Sequence, residues 1–252
     1  MITHILHSCR FGKKSKDQLS TYSIDSWKIF CWDFEFIERW DSNFDINSHQ
    51  YTKFAYNNHQ RAFLSDYVRI WALYNQWGIY LDTDVEILKS FDPLLANKVF
   101  LWFADEKNIG TAVIWWEKWH PFFKRILEYY DNATQCSGNN KIITDILYDY
   151  GLPQNRDVNK IYQLDEWIVI YPKSFFEPID YVKRYQTPEE NKKYYITDSS
   201  YTIHYSNLSR ITSRMRYKHY TGVFLEKIWI RKSIKKLLIK IGILDPTIYW
   251  YE

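Results

Sequence analysis

Two aspartates one residue apart, Asp82 and Asp84, lie in the stretch Gly78-Ile79-Tyr80-Leu81-Asp82-Thr83-Asp84-Val85-Glu86, just after a short apolar run. Ile79-Tyr80-Leu81 is β-prone and follows a glycine, and Val85-Glu86-Ile87-Leu88 resumes the β pattern. The pair is therefore expected where a strand ends and the backbone opens, which is where open α/β sheets bind ligands. Alternate residues of an extended chain point the same way, so Asp82 and Asp84 can face one point while Thr83 faces the other side. Carboxylate oxygens suit Mg²⁺ or Mn²⁺. A calcium loop of the EF-hand type is excluded: its sixth position needs glycine and holds Ile87, and its twelfth needs glutamate and holds Pro93. Paired aspartates also occur in turns without any metal, so the pair alone leaves a solvated acidic turn as the alternative.

The element that must position this pair lies upstream. Over residues 62–77 the apolar positions Phe63, Tyr67, Ile70, Tyr74 and Trp77 recur at helical spacing, and Gly78 is suited to stop the helix. Asp66 and Arg69 are the only charges on this helix, three apart and hence neighbours on one face. Two readings follow. They form an intrahelical ion pair at a partly buried surface, or Arg69 meets a phosphate or sugar while Asp66 orients it or receives a sugar hydroxyl.

Ser65-Asp66-Tyr67-Val68-Arg69, the helix, Gly78-Ile79-Tyr80-Leu81-Asp82-Thr83-Asp84-Val85 and Leu88-Lys89-Ser90-Phe91-Asp92-Pro93-Leu94 together resemble the signature of the DxD-containing glycosyltransferases of family 32. That family includes capsular and lipopolysaccharide sugar transferases. The mannosyl, galactosyl and toxin glucosyl transferases are more distant. The resemblance runs from residue 1 to about residue 210. Ile5-Leu6-His7-Ser8-Cys9-Arg10-Phe11-Gly12 resembles the family's first strand, which leads to the nucleotide base, and Ser26-Trp27 and residues 40–45 fall on two further family segments. Asn108-Ile109-Gly110, Trp119-His120-Pro121, Ser137-Gly138 through Thr144, and Tyr201-Thr202-Ile203-His204-Tyr205 resemble later ones, and in the last of these a histidine can supply a metal ligand. Three positions depart from the pattern. Arg10 stands where a tryptophan usually stacks on the base, Trp77 replaces a glycine, and Ser209-Arg210 stands where a Ser-Trp pair closes the site.

The resemblance implies a GT-A-like α/β fold with a mostly parallel central sheet flanked by helices, its acceptor-facing half between about residues 95 and 200. It implies transfer of a sugar, with retention of configuration, from a nucleotide-sugar donor, expected to be UDP-linked, to a hydroxyl of a surface glycan or its lipid-linked precursor. Asp66, Arg69, Asp82 and Asp84 are the expected catalytic residues. His7, Arg10, Asp66, Arg69, Tyr80, Asp82, Asn108 and Arg210 are expected to hold the donor, and Asp82, Asp84 and His204 a Mn²⁺ or Mg²⁺. A catalytically silent glycan-binding or scaffold protein of polysaccharide assembly is the alternative, and metal-dependent turnover separates the two. A nucleotidyl or phosphoryl transferase lacks support, because the chain has no GxxxxGK[ST] phosphate loop.

The composition, 46% hydrophobic and 25% charged, is that of a folded domain, and 252 residues suffice for one large α/β core. The 12 Trp and 22 Tyr are compatible with sugar stacking but equally with ordinary packing. No window approaches 18 uncharged apolar residues, no secretory leader pattern opens the sequence, and the three cysteines Cys9, Cys31 and Cys136 show no metal spacing. A cytoplasmic location is the expectation. Residues 1–222 are read as the transferase domain and 223–252 as a basic amphipathic helix. There Ile230, Ile234, Leu237, Leu238 and Ile241 share a face, and six of the chain's Lys and Arg fall between 227 and 241. Such a helix either lies on a membrane surface, here the inner face of the cytoplasmic membrane, or packs back on the domain. No nucleic-acid motif accompanies the basic residues.

Overall fold

The computed structural model describes residues 4–12, 16–179 and 195–205. Its strands are β1 (Ile5–Cys9), β2 (Glu35–Arg39), β3 (Gly78–Leu81), β4 (Val85–Ile87), β5 (Val99–Phe103), β6 (Ile109–Trp116), β7 (Tyr162–Gln163), β8 (Ile168–Tyr171) and β9 (Thr202–His204). The α-helices are α1 (Gln18–Phe30), α2 (Gln50–Asn57), α3 (Arg61–Gln76), α4 (Pro121–Asp131) and α5 (Asn139–Leu147). Seven strands form one sheet in the order β2-β1-β3-β6-β5-β8-β7, and β4 pairs with β9 in a separate two-stranded ribbon.

β1, β2, β3, β5 and β8 run one way, and β6 and β7 run against them. The sheet is thus mostly parallel by direction but mixed by pairing, an α/β arrangement. β1 lies between β2 and β3, so the connections leave it toward both sides. Ligands bind beyond the carboxyl ends of strands at such a switch point, and Asp82 follows directly on β3.

Burial explains the strand sequences. Val-Phe-Leu-Trp-Phe of β5 is buried throughout, an unbroken apolar run of the kind found where both faces of a sheet are covered. Helices α2 to α5 cover one face: Leu64, Val68, Ile70 and Leu73 of α3 are fully buried in a core shared with Ile114, Phe123, Ile126 and Ile143. Each such side chain contributes about 1.5–3 kcal/mol by leaving water. α1 and the β4–β9 ribbon cover the other face, where Trp27 joins Ile79, Val85, Phe100 and Trp102.

The helix expected over 62–77 is α3. Its end differs in one respect: Trp77 itself takes the left-handed turn, at φ 56°, and its N–H donates to the Leu73 carbonyl. Glycine adopts that conformation at no steric cost and tryptophan does not. Gly78 follows at φ +106°, and a Cβ there would lie 2.3 Å from the Ile5 carbonyl oxygen, so only glycine lets β3 lie this close to β1. No helix of the described residues is long and apolar enough to cross a membrane. The domain boundary at 222/223, the tail and Arg210 lie outside the described residues.

Candidate active site

Asp82 and Asp84 flank a tight turn rather than an extended segment. The Val85 N–H donates to the Asp82 carbonyl at 3.0 Å, closing the turn, while the Asp82 N–H donates to Ala112 of β6 at 2.9 Å and prolongs the β3 ladder by one bond. The convergence of the two carboxylates thus comes from chain reversal. The alternation expected of a strand does not operate, because residues 83 and 84 leave the strand conformation.

The ribbon supplies the third member. β4 pairs antiparallel with β9, Val85 opposite His204 and Ile87 opposite Thr202, and the Tyr205 N–H donates to the Asp84 carbonyl at 3.0 Å. This register brings His204 beside Asp84. One ligand atom from each of Asp82, Asp84 and His204 lies within 4.8 Å of the others. Two carboxylates and an imidazole can together hold a divalent first-row ion such as Mn²⁺, and these residues fit the metal that the sequence implies.

His204 lies between two carboxylates: Nε2 is 3.5 Å from Asp84 Oδ1 and Nδ1 is 3.1 Å from Glu177 Oε2. Burial alone would push its pKa down, but the Asp84 and Glu177 charges and hydrogen bonds outweigh it and raise it to about 10, so a metal at Nε2 would take the place of a proton there. Trp102 packs edge-on against the imidazole, with centroids 6.4 Å apart. Gly110 makes room for that indole, since a Cβ on Gly110 would come within 2.2 Å of it.

Behind Asp82 stands Arg69. Its Nη2 lies 3.2 Å from both Asp66 Oδ1 and Asp82 Oδ1, its Nη1 donates to the Thr111 carbonyl at 2.6 Å, and its guanidinium carbon is 4.4 Å from the Tyr80 ring centroid. The Tyr80 hydroxyl donates to the same Asp82 oxygen at 2.7 Å. Burial opposes the Arg69 charge, but Asp82, Tyr80 and Asp66 outweigh it and hold its pKa above the ordinary value. Tyr80 is pushed well up, chiefly by burial, with Asp82 adding to this and Arg69 opposing. The phenol therefore stays a donor. Asp66, fully buried, also accepts from the backbone N–H of Asn139 in the first turn of α5, at 3.5 Å.

Asp66 and Arg69 form the expected ion pair, more deeply buried than a partly buried surface would give, with side chains 0% and 4% exposed. Arg69 is spent on Asp66, Asp82 and Thr111, so the structure sets it beneath the Asp82 turn as a brace.

Three other expected donor contacts stand apart from the cluster. His7 is fully buried in β1, its Nε2 bonded to the Trp77 carbonyl at 2.6 Å, and burial takes its pKa down to about 4. That position joins β1 to the end of α3 and gives no opening to a ligand. Asn108 sits in the turn between β5 and β6, with its side-chain amide donating to Asp105. Arg10 lies just past β1, with Nε 3.2 Å from Glu38 Oε1 and its guanidinium carbon 5.5 Å from the ring centroid of the exposed Trp40. The aromatic face missing at position 10 is thus offered by Trp40, one residue beyond β2.

Two roles emerge that sequence reasoning did not assign. Ser26 Oγ accepts from the Ile87 N–H at 2.8 Å and Trp27 Nε1 donates to the Val85 carbonyl at 2.6 Å, so the Ser-Trp pair clamps β4 immediately after Asp84. Glu177 was missed altogether. Its only sequence signal is a carboxylate set within Phe175-Phe176-Glu177-Pro178, an apolar run in which a charge needs a partner.

Residues 12–101 match the family model described as the glycosyltransferase sugar-binding region containing the DXD motif. The inositol phosphoceramide mannosyltransferase 3 of Schizosaccharomyces pombe is 36% identical over 78 residues, which is 31% of this chain and 21% of that one. An uncharacterized protein of Arabidopsis thaliana is 32% identical over 124 residues, 46% of this chain and 18% of that one. The chain therefore spans about a fifth of the length of these curated relatives. Among solved structures, the PaToxG glycosyltransferase is similar at 18% identity and a TM-score of 0.48, over 59% of this chain and 69% of that one. Asp66, Arg69, Asp82 and Asp84 all lie within the residues that match that family model.

Proposed function

We propose that this chain is a metal-dependent retaining glycosyltransferase that moves a sugar from a nucleotide-sugar donor, UDP-linked, to a hydroxyl of a surface glycan or its lipid-linked precursor. The observation that carries this reading is the convergence of Asp82, Asp84 and His204 within 4.8 Å, beside a region that matches the DXD family. In the transfer, the bond from the anomeric carbon to the diphosphate oxygen breaks and a bond to the acceptor oxygen forms. The acceptor's proton leaves with the diphosphate. A divalent ion, when bound, offsets the negative charge that gathers on the leaving group.

The chain's own residues prepare that step. Tyr80 and Arg69 both engage Oδ1 of Asp82, which leaves Oδ2 as the oxygen for a metal or a sugar hydroxyl. Asp84 and His204 are held together by the β4–β9 register. Work at the inner face of a membrane through residues 223–252, in a cytoplasmic setting, belongs to the same proposal and rests on the sequence alone.

The test is a panel of nucleotide sugars, UDP-glucose, UDP-galactose and GDP-mannose among them, incubated with Mn²⁺, with Mg²⁺ and with a chelator, reading donor hydrolysis. Hydrolysis of one donor that stops with the chelator is expected. A folded protein that binds a glycan yet turns over no donor with either metal would instead favour the scaffold role.

A further inference from the structure

Glu177 lies between β8 and the segment that leads to β9, far in sequence from the aspartates, and is 8% exposed. Its Oε2 is 3.1 Å from His204 Nδ1, and Lys173 Nζ, four residues back, is 3.8 Å from its other oxygen. The opposite ring nitrogen, Nε2, faces Asp84 at 3.5 Å. An imidazole can ligate a metal through Nε2 only with the lone pair there and the proton on Nδ1. A carboxylate accepting from Nδ1–H selects that tautomer, fixes the ring's rotation and makes the ligating nitrogen more basic.

We propose that Glu177 is a positioning residue of the metal centre: through His204 Nδ1 it aims Nε2 at the site shared with Asp82 and Asp84, and so favours ions that accept an imidazole nitrogen, Mn²⁺ over Mg²⁺. This rests on the metal-dependent reading given above. The geometry supports it from three sides. Trp102 closes one edge of the imidazole, the β4–β9 pairing fixes its backbone, and Glu177 fixes its remaining degree of freedom, the ring orientation. Without Glu177 the ring could rotate, which turns Nε2 away, or take the other tautomer, which places the proton on Nε2, and either change takes the lone pair from the metal position.

The test measures Mn²⁺ and Mg²⁺ binding to the full chain without donor, by the electron paramagnetic resonance signal of free Mn²⁺ and its displacement by Mg²⁺, in the wild type, Glu177→Gln and Glu177→Leu. Pulsed measurements on bound Mn²⁺ read its coupling to ¹⁴N, and thermal melts are taken on the same preparations. Loss of Glu177 should weaken Mn²⁺ binding by about 10- to 100-fold, the size expected when an outer-shell partner is removed. Mg²⁺ binding should weaken less, and the ¹⁴N coupling should fade in Glu177→Leu. Glu177→Gln keeps an acceptor oxygen and should fall between, and it carries the test alone if Glu177→Leu does not fold. Equal loss of both metals with the ¹⁴N coupling intact, or no loss of either, overturns the proposal while leaving the metal site standing. A wild type that binds no Mn²⁺ overturns the metal-dependent reading and this proposal with it.

Discussion

Replacing Arg69 tests whether the buried charge cluster holds the Asp82 turn. Arg69→Met removes a charge that meets both Asp66 and Asp82, and Asp66 has no exposure to water. Leaving a buried carboxylate without its partner costs about 3–5 kcal/mol. The Thr111 carbonyl also loses its 2.6 Å donor, about 1–3 kcal/mol more. The sum, about 4–8 kcal/mol, approaches the entire stability of an ordinary domain. Arg69→Lys keeps the charge, and its ammonium can still reach the two aspartates, but a point donor cannot serve Thr111 on the far side of the fork. The Ser65 carbonyl, also met by Arg69 Nε at 3.3 Å, already faces the helix hydrogen bond from the fourth residue on and is not orphaned. The lysine variant should therefore cost only about 1–3 kcal/mol, the share of Thr111.

Urea unfolding at neutral pH reads these differences directly, and donor hydrolysis on the same samples reads the site. Arg69→Lys should fold and still lose most of its turnover, because a point ammonium cannot hold Asp66, Asp82 and Thr111 together in the fixed geometry of the guanidinium fork. Adding Asp66→Asn to Arg69→Met should recover part of the lost stability by removing the stranded charge. A cost below about 1 kcal/mol for Arg69→Met would mean that the cluster is hydrated and contributes as little as a surface pair, and the reasoning would be wrong.

Asp84→Asn, nearly the same shape without the charge, should abolish metal-stimulated donor hydrolysis with the melting temperature little changed; unaltered metal-dependent turnover would remove Asp84 from the site. His7 carries an acid sensitivity. Its folded pKa of about 4 lies below its ordinary 6.5, so above pH 6.5 it is neutral in both states, and as pH falls from there to about 4 only the unfolded chain takes up the proton. That costs the fold up to about 3 kcal/mol. His7→Gln, which keeps a donor for the Trp77 carbonyl, should flatten this part of the stability–pH curve, and an unchanged difference between pH 7 and pH 4 would refute it. Gly110→Ala should displace Trp102 from its place beside His204 and weaken Mn²⁺ binding, with tryptophan fluorescence reporting the displacement; an unchanged spectrum and affinity would contradict the packing. Deleting from Lys227 onward should abolish salt-sensitive binding to anionic liposomes and spare donor hydrolysis, whereas a destabilised truncation, with no lipid binding by the intact chain, would show that the tail packs on the domain.

What was legible in the sequence depended on the range of the interaction. The helix of residues 61–76 and the strand before Asp82 were readable because apolar spacing and a glycine act within a few residues. The DXD pair was readable for the same reason, although its geometry was not: the turn between Asp82 and Val85 closes through a single backbone hydrogen bond, and nothing in Asp-Thr-Asp distinguishes that turn from a continuing strand. Arg69 shows the next limit. Its spacing from Asp66 gave the ion pair, but its burial depends on β6 and α5 folding over it, and those segments lie more than forty residues on.

Glu177 lies beyond either limit. Its meeting with His204 requires β8 to join the large sheet while β9 joins β4, two pairings set by different partners. His204 came within reach of inference only through the family resemblance, since one histidine in an apolar strand is more often structural than ligating. The same physics accounts for the different settings of His7 and Arg10. A histidine at position 7 and an arginine at position 10 differ by a single strand end. β1 is central to the sheet, so His7 is sealed between neighbours, whereas Arg10 has passed the last pairing and stands at the open edge with Trp40. Three residues along a strand span about 10 Å, and that length separates a buried brace from a residue held by Glu38 and Trp40 beyond the strand end.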